Sequence, residues 1–300
     1  MVDRRQLLTL LALGSLAAAC ERVASSALPA PGPLPAPAPV PGGRPRPVAK
    51  PAPATTESPA AEESTALAAT PTPLDTIGPA LLVHGLPEEA KLADYVALTI
   101  DDGFSAETVK AYVEFAQSSG IHLTFNPNGI YGHIWDQHAD ALRPLIEAGQ
   151  VQIGNHTFSH KDVKKLSRHG IEKELQDNED WIAETFGTTT RPWFRPPFGF
   201  RDERTDEVAA ELGWTHVLLW NGSFGDAAVL TQDVLMQQAR KWLNPGTIML
   251  GHANHPTVTH LYPQLLTLLT ERGLTPVTLT EGFSLPASLG TGSPDPGSSH

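Results

Sequence analysis

Between residues 80 and 285 the chain alternates short apolar runs with longer stretches of helical period. The strand-like runs are Tyr95–Ile100, Leu123–Phe125, Val151–Gly154, Trp193–Arg195, His216–Trp220, Thr247–Leu250 and Leu274–Leu279. The helix-like runs are Ser105–Ser119, Ala139–Ala148, Ile171–Phe186, Asp202–Leu212, Thr231–Leu243 and His260–Arg272. Five of these helical runs meet a glycine at or just past their ends, Gly120, Gly149, Gly187, Gly213 and Gly273, the residue expected to close a helix in a left-handed conformation. Such alternation predicts an α/β fold with parallel strands. About seven strands with outer helices suggest a barrel, whose chemistry gathers at the C-terminal ends of the strands. A domain of roughly 200 residues suffices for one full core.

The chemistry-bearing residues fall where a barrel would need them. Val96-Ala97-Leu98-Thr99-Ile100 runs straight into Asp101-Asp102-Gly103. Some fifty residues on, the apolar run of Ile153 leads to His156-Thr157-Phe158-Ser159-His160. Two imidazoles and a carboxylate pair are a ready ligand set for a divalent metal, with one carboxylate left over as a base. The pattern predicts a metal-dependent hydrolase. Taken singly, the histidines would read as surface residues on a helical turn, and the aspartates as a helix N-cap. Ser105 is better placed to cap the helix that follows, which frees the aspartates.

The flanks differ from this domain. Residues 1–20 have a charged start, an apolar run from Leu7 to Ala19 too short to span a bilayer comfortably, and small residues before Cys20, the layout of a secretory signal. Ala17-Ala18-Ala19-Cys20 resembles a bacterial lipobox, with alanine at the position where leucine is usual. Cys20 is the only cysteine, and it is expected to carry a lipid anchor. Arg4-Arg5-Gln6-Leu7-Leu8 reads equally as a twin-arginine export signal or a plain basic start. Residues 21–79 are rich in Pro and Ala and lack hydrophobic periodicity, so a disordered tether is expected. A second such segment is expected over 286–300. The protein should be exported, anchored at the cell envelope or secreted. A formal net charge of −12 argues against a nucleic-acid partner and gives no attraction to anionic membranes.

Four segments in order carry a resemblance. Thr99-Ile100-Asp101-Asp102-Gly103, His156-Thr157-Phe158-Ser159-His160, Arg195-Pro196-Pro197-Phe198-Gly199 and Ile248-Met249-Leu250-Gly251-His252 match motifs one, two, three and five of the nodulation-protein-type polysaccharide deacetylases, carbohydrate esterase family four. The family's usual first motif is Thr-Phe-Asp-Asp-Gly. The resemblance covers about Tyr95 to Phe283 and implies a distorted (β/α) barrel. It also implies that Asp102, His156 and His160 bind one divalent metal, with zinc first and cobalt, manganese or nickel as alternatives. Asp101 would be the general base and Arg195 would hold it by an ion pair. The Phe198 N–H would help stabilise the oxyanion, and Leu250 would border the acetyl pocket. His252, beyond an apolar strand, would be the general acid, a role suited to a group titrating near neutrality. His255 and His260 match no motif and read as structural or surface residues.

The fourth motif departs from the family's Asp-x-x-Asp-Trp. The chain reads Ser223-Phe224-Gly225-Asp226-Ala227, so only Asp226 stays in register, and by resemblance it would orient His252. Trp220 or Phe224 is expected to replace the missing tryptophan. Asn126 stands where the family usually has an aromatic. The expected function is removal of N-acetyl groups from a polysaccharide substrate, peptidoglycan first. The alternatives are an O-acetyl polysaccharide esterase and a carbohydrate-binding envelope lipoprotein without turnover.

Overall fold

The strand that enters the Asp-Asp-Gly segment organises the domain. In the computed structural model, which describes residues 79–284, Tyr95–Asp102 is buried along all but its first residue, as a central parallel strand must be. Nine strands occur among the described residues: β1 (Leu81–Val83), β2 (Tyr95–Asp102), β3 (Leu123–Pro127), β4 (Val151–Ile153), β5 (Trp193–Phe194), β6 (His216–Leu218), β7 (Gly222–Ser223), β8 (Ile248–His252) and β9 (Thr275–Val277). All their pairings are parallel. The helices are α1 (Glu88–Leu92), α2 (Ala106–Ser119), α3 (Gly132–Trp135), α4 (Ala139–Glu147), α5 (Arg168–Phe186), α6 (Glu203–Glu211), α7 (Gln232–Trp242), α8 (Tyr262–Glu271) and α9 (Leu279–Phe283). The expected signal, Cys20, the tether over 21–79 (but for its last residue) and the tail over 286–300 lie outside the described residues.

The strands form two sheets, β4-β3-β2-β8-β7 with β9 also on β2, and β1-β6-β5. A bridge between Asn155 and Phe194 joins them. This is the distorted (β/α) barrel, with nine strands in place of about seven. The run His216–Trp220 was expected to be one strand. It stops at Leu218, and the chain re-enters the other sheet as β7. Neither β1 nor β7 is long enough to show a period.

Alternation along β2 sorts the side chains. Val96, Leu98 and Ile100 face outward and pack with Val109, Tyr112 and Val113 of α2. Ala97 packs inward with Trp193, Leu218 and Ile248. A third cluster, of Ile171 and Leu175 from α5 and Val208 and Ala209 from α6, covers Phe194 and Val217 of the smaller sheet. The register sets Asp101 beside Asn126 of β3 and His252 of β8. Three polar side chains thus arrive side by side at the strand tips.

The local signals in the sequence operate as expected. Gly120 and Gly187 close α2 and α5 with φ of 69° and 70°. Ser105 caps α2 by accepting from the Thr108 N–H at 3.3 Å, so neither aspartate is spent as a cap. Ser105→Ala should therefore cost about 1 kcal/mol of stability, read as a lower urea midpoint, and leave the affinity for a divalent metal unchanged.

Candidate active site

Three side chains converge at the tips of β2 and β4. Asp102 Oδ1 lies 3.4 Å from His156 Nε2 and 3.3 Å from His160 Nε2. One ligand atom from each residue falls within 4.8 Å of the others. Asp102 Oδ2 accepts from Asn254 Nδ2 at 2.7 Å, whereas Oδ1 is buried with no hydrogen-bond partner. His156 Nδ1 donates to the Arg195 carbonyl at 2.7 Å, which turns Nε2 toward the carboxylate, as is usual for metal-bound histidines. A buried carboxylate oxygen without a donor, facing two imidazole nitrogens, fits a divalent cation.

The electrostatics agree with that fit. Burial opposes the charge on Asp102, but His156, helped by His160 and His252, outweighs it and holds the carboxyl well below the usual range. Burial and the neighbouring His156 push His160 down to about 4, so it offers a neutral lone pair at pH 7. Burial works against a proton on His156, yet the charge of Asp101 and contact with Asp102 raise its pKa.

The loop that carries the histidines is not helical. Thr157 and His160 have φ of 66° and 53°. Asn128 Nδ2 donates to the carbonyls of His156 and Thr157 at 2.6 and 2.9 Å. Glu174 accepts from the Ser159 N–H at 2.8 Å and from Lys161 Nζ at 2.9 Å. Among the described residues five non-glycines have positive φ, and four of them, Asp102, Thr157, His160 and Phe198, belong to this site. Such strain persists only where surrounding bonds over-determine the backbone.

Asp101 is held on one side only. Its Oδ1 accepts from Arg195 Nη1 and from Asn126 Nδ2, both at 2.8 Å. Its Oδ2 lies 3.7 Å from His156 Nε2. Arg195 is fully buried. It also donates to Thr99 Oγ1 at 2.8 Å and to the Leu219 carbonyl at 3.1 Å, so its position below the site is fixed.

His252 completes the group. Its Nδ1 lies 2.9 Å from Asp226 Oδ1, and its backbone N–H donates to Asp226 Oδ2 at 3.2 Å. Burial opposes the imidazolium, but the hydrogen bond and charge of Asp226, with Asp101 and Asp102 behind it, raise its pKa to about 9. Leu250 lies two residues before His252 on β8, on the same strand face, and is buried. Phe198 has φ of 60° and 57% exposure, and its ring meets His160 edge-on at 4.5 Å.

Phe224 does not replace the missing tryptophan. It is buried in the outer core with Ile100 and Met249, because the short β7 turns it away from the strand tips. Trp220 is half-buried, 5.9 Å from the Arg195 guanidinium. His255 packs edge-on against Phe104 at 5.7 Å, and His260 is exposed. Sequence reasoning missed Asn254, Asn128 and Glu174. Asn254 follows His252 by two residues and Asn128 follows β3 directly, so their closeness to strand ends was the available signal. Glu174, inside a charged helix, offered none.

Residues 89–217 match the polysaccharide deacetylase family. A chitin deacetylase of Arthroderma benhamiae is 32% identical over 192 residues, 62% of this chain and 51% of that protein. An uncharacterized protein of Streptomyces coelicolor is 30% identical over 183 residues, 60% of this chain and 69% of that protein. A solved carbohydrate esterase family four pseudoenzyme from Bacillus anthracis superposes with a TM-score of 0.58 at 25% identity, covering 67% of this chain and 68% of that one. The chain spans about half to two thirds of the length of the first curated relatives it matches.

Replacing Asp226 with Asn removes the nearest charge that favours the His252 imidazolium and leaves burial against it, with only the more distant Asp101 and Asp102 in its favour. The His252 midpoint, followed by NMR titration of the ring, should fall from about 9 toward or below the ordinary histidine value near 6.5. An unmoved midpoint would show that Asp226 does not set it.

Proposed function

The chain belongs to the polysaccharide deacetylase family, and we propose that it is a metal-dependent hydrolase that removes N-acetyl groups from an envelope polysaccharide, peptidoglycan first. The observation that carries this reading is the pairing of a three-residue metal-binding cluster with a separately held carboxylate and a histidine–aspartate couple, all at one barrel mouth. The name of the Arthroderma relative, a chitin deacetylase, supports an N-acetylglucosamine polymer as substrate.

Asp102, His156 and His160 would hold the divalent cation, zinc being the first candidate for an imidazole and carboxylate set. When bound it would polarise the acetyl carbonyl and make the attacking water more acidic. Asp101 Oδ2, the oxygen not engaged by Arg195 and Asn126, takes the proton as water oxygen bonds to the carbonyl carbon. The Phe198 N–H would donate to the oxyanion that forms, an interaction that stabilises such intermediates. His252, cationic below about 9, has Nδ1 on Asp226 and so presents Nε2. That proton passes to the leaving nitrogen as the carbon–nitrogen bond breaks, giving acetate and a free amine. Leu250 borders the space for the acetyl methyl.

A tether over 21–79 with a lipid on Cys20 would keep the domain beside such a polymer. A reading without turnover draws on the likeness to the Bacillus anthracis pseudoenzyme. The presence here of Asp101, Asp102, His156, His160, Arg195 and His252 weighs against it.

The test is acetate release by the purified protein from N-acetylglucosamine oligomers, peptidoglycan and acetylated xylan, with zinc and after chelation. Release from an amide substrate should require metal and fall at least about a hundredfold in Asp101→Asn, the scale on which general-base catalysis operates. Release from xylan alone would make the protein an esterase. Zinc binding with no release from any of the three would favour the binding protein.

A further inference from the structure

Asn254 lies beyond the end of β8 and is 6% exposed. Its Oδ1 accepts from the Gly103 N–H at 3.2 Å and faces the Phe104 N–H at 3.5 Å. Those backbone donors fix the orientation of the amide, so its Nδ2 must face Asp102, where it donates to Oδ2 at 2.7 Å. One carboxylate oxygen is thereby taken, and Oδ1 alone is left toward His156 and His160. Resting on the reading of Asp102 as a metal ligand, we infer that Asn254 is a positioning residue for that ligand, presenting Asp102 to the cation through a single oxygen.

The physical argument is one of rotation. The Asp102 carboxylate can turn about its last torsion, a soft one. A charge-assisted hydrogen bond to one oxygen stops that rotation. Without it, Oδ2 loses its partner in a buried site, and the carboxylate is free to re-orient away from the histidines. Asn126 makes the same kind of bond to the other aspartate, at 2.8 Å from Asp101 Oδ1.

The test is the zinc dissociation constant of the purified protein, measured by competition with a chromophoric chelator. Asn254→Ala and Asn254→Leu should each bind zinc roughly 10–100-fold more weakly, the usual effect of losing a hydrogen bond to a metal ligand. Ser105→Ala, which removes only the cap of α2, should bind it as the unaltered protein does. Asn254 variants that melt normally in chelator and keep full zinc affinity would overturn the inference. Should neither variant fold, a crystal structure of the unaltered protein with zinc decides. Asp102 bound through Oδ1, with Asn254 still on Oδ2, supports the inference; binding through both oxygens with the amide released overturns it. Failure of the unaltered protein to bind zinc would overturn the metal reading and this inference together. Zinc binding weakened by the Asn254 variants, with no acetate released by the unaltered protein, would sink only the hydrolase reading.

Discussion

Successive side chains of a β-strand point to opposite faces, so two adjacent strand residues do not ordinarily share a pocket. Asp101 and Asp102 do share one, and the rest of the site follows from how that is arranged. The chain leaves the extended conformation at Asp102, where φ is 68°. Trp135 Nε1 then donates to the Asp102 carbonyl at 3.1 Å. The next residue must be glycine, because a Cβ on Gly103 would come within 2.2 Å of that indole nitrogen. The Asp-Asp-Gly segment is thus a device for turning a second carboxylate back toward the first.

Two buried carboxylates side by side repel one another and lose hydration, and each must recover that cost from neighbours. The two are served by different elements. Asp101 is met from just beyond β5 by the guanidinium of Arg195 and from β3 by the amide of Asn126. Asp102 is met by Asn254 beyond β8 and by the histidines beyond β4. This division gives the pair two characters, one carboxylate with a free edge for a proton and one with a free oxygen for a cation. His252 adds a third charge of opposite sign, held by Asp226 at a distance from both roles.

Much of this was legible in the sequence, for physical reasons. Alternating apolar and helical runs fixed parallel pairing, and Ser105, Gly120 and Gly187 marked helix ends because caps are local chemistry. The residues at the tips of β2, β4 and β8 came together because parallel strands deliver all their C-terminal ends to one rim. The strands β1 and β7 escaped notice, since three or two residues carry no period. Phe224 was misjudged because the break between β6 and β7 reverses which face a residue takes, and nothing local announces that break. Asn254, Asn128 and Glu174 act through partners distant in sequence, and a lone polar residue looks the same whether it ends buried or wet.

The position of β2 also bears on how the chain comes to be folded. Its partners include β8 and β9, and the bond from Asn254 to Asp102 spans 152 residues. At ribosomal rates of roughly 5–20 residues per second, about 8–30 s separate the emergence of the two. During that interval β3 can already pair with β2, but the edge that β8 and β9 will cover stays open, and such non-local pairing is slow to form even once the chain is complete. The ligands Asp102, His156 and His160 thus emerge well before Asn254, the residue that occupies the second oxygen of Asp102. A cation met before β8 docks would find an Asp102 carboxylate still free to turn, so the geometry of the site is a late product of folding even though its ligands are early ones.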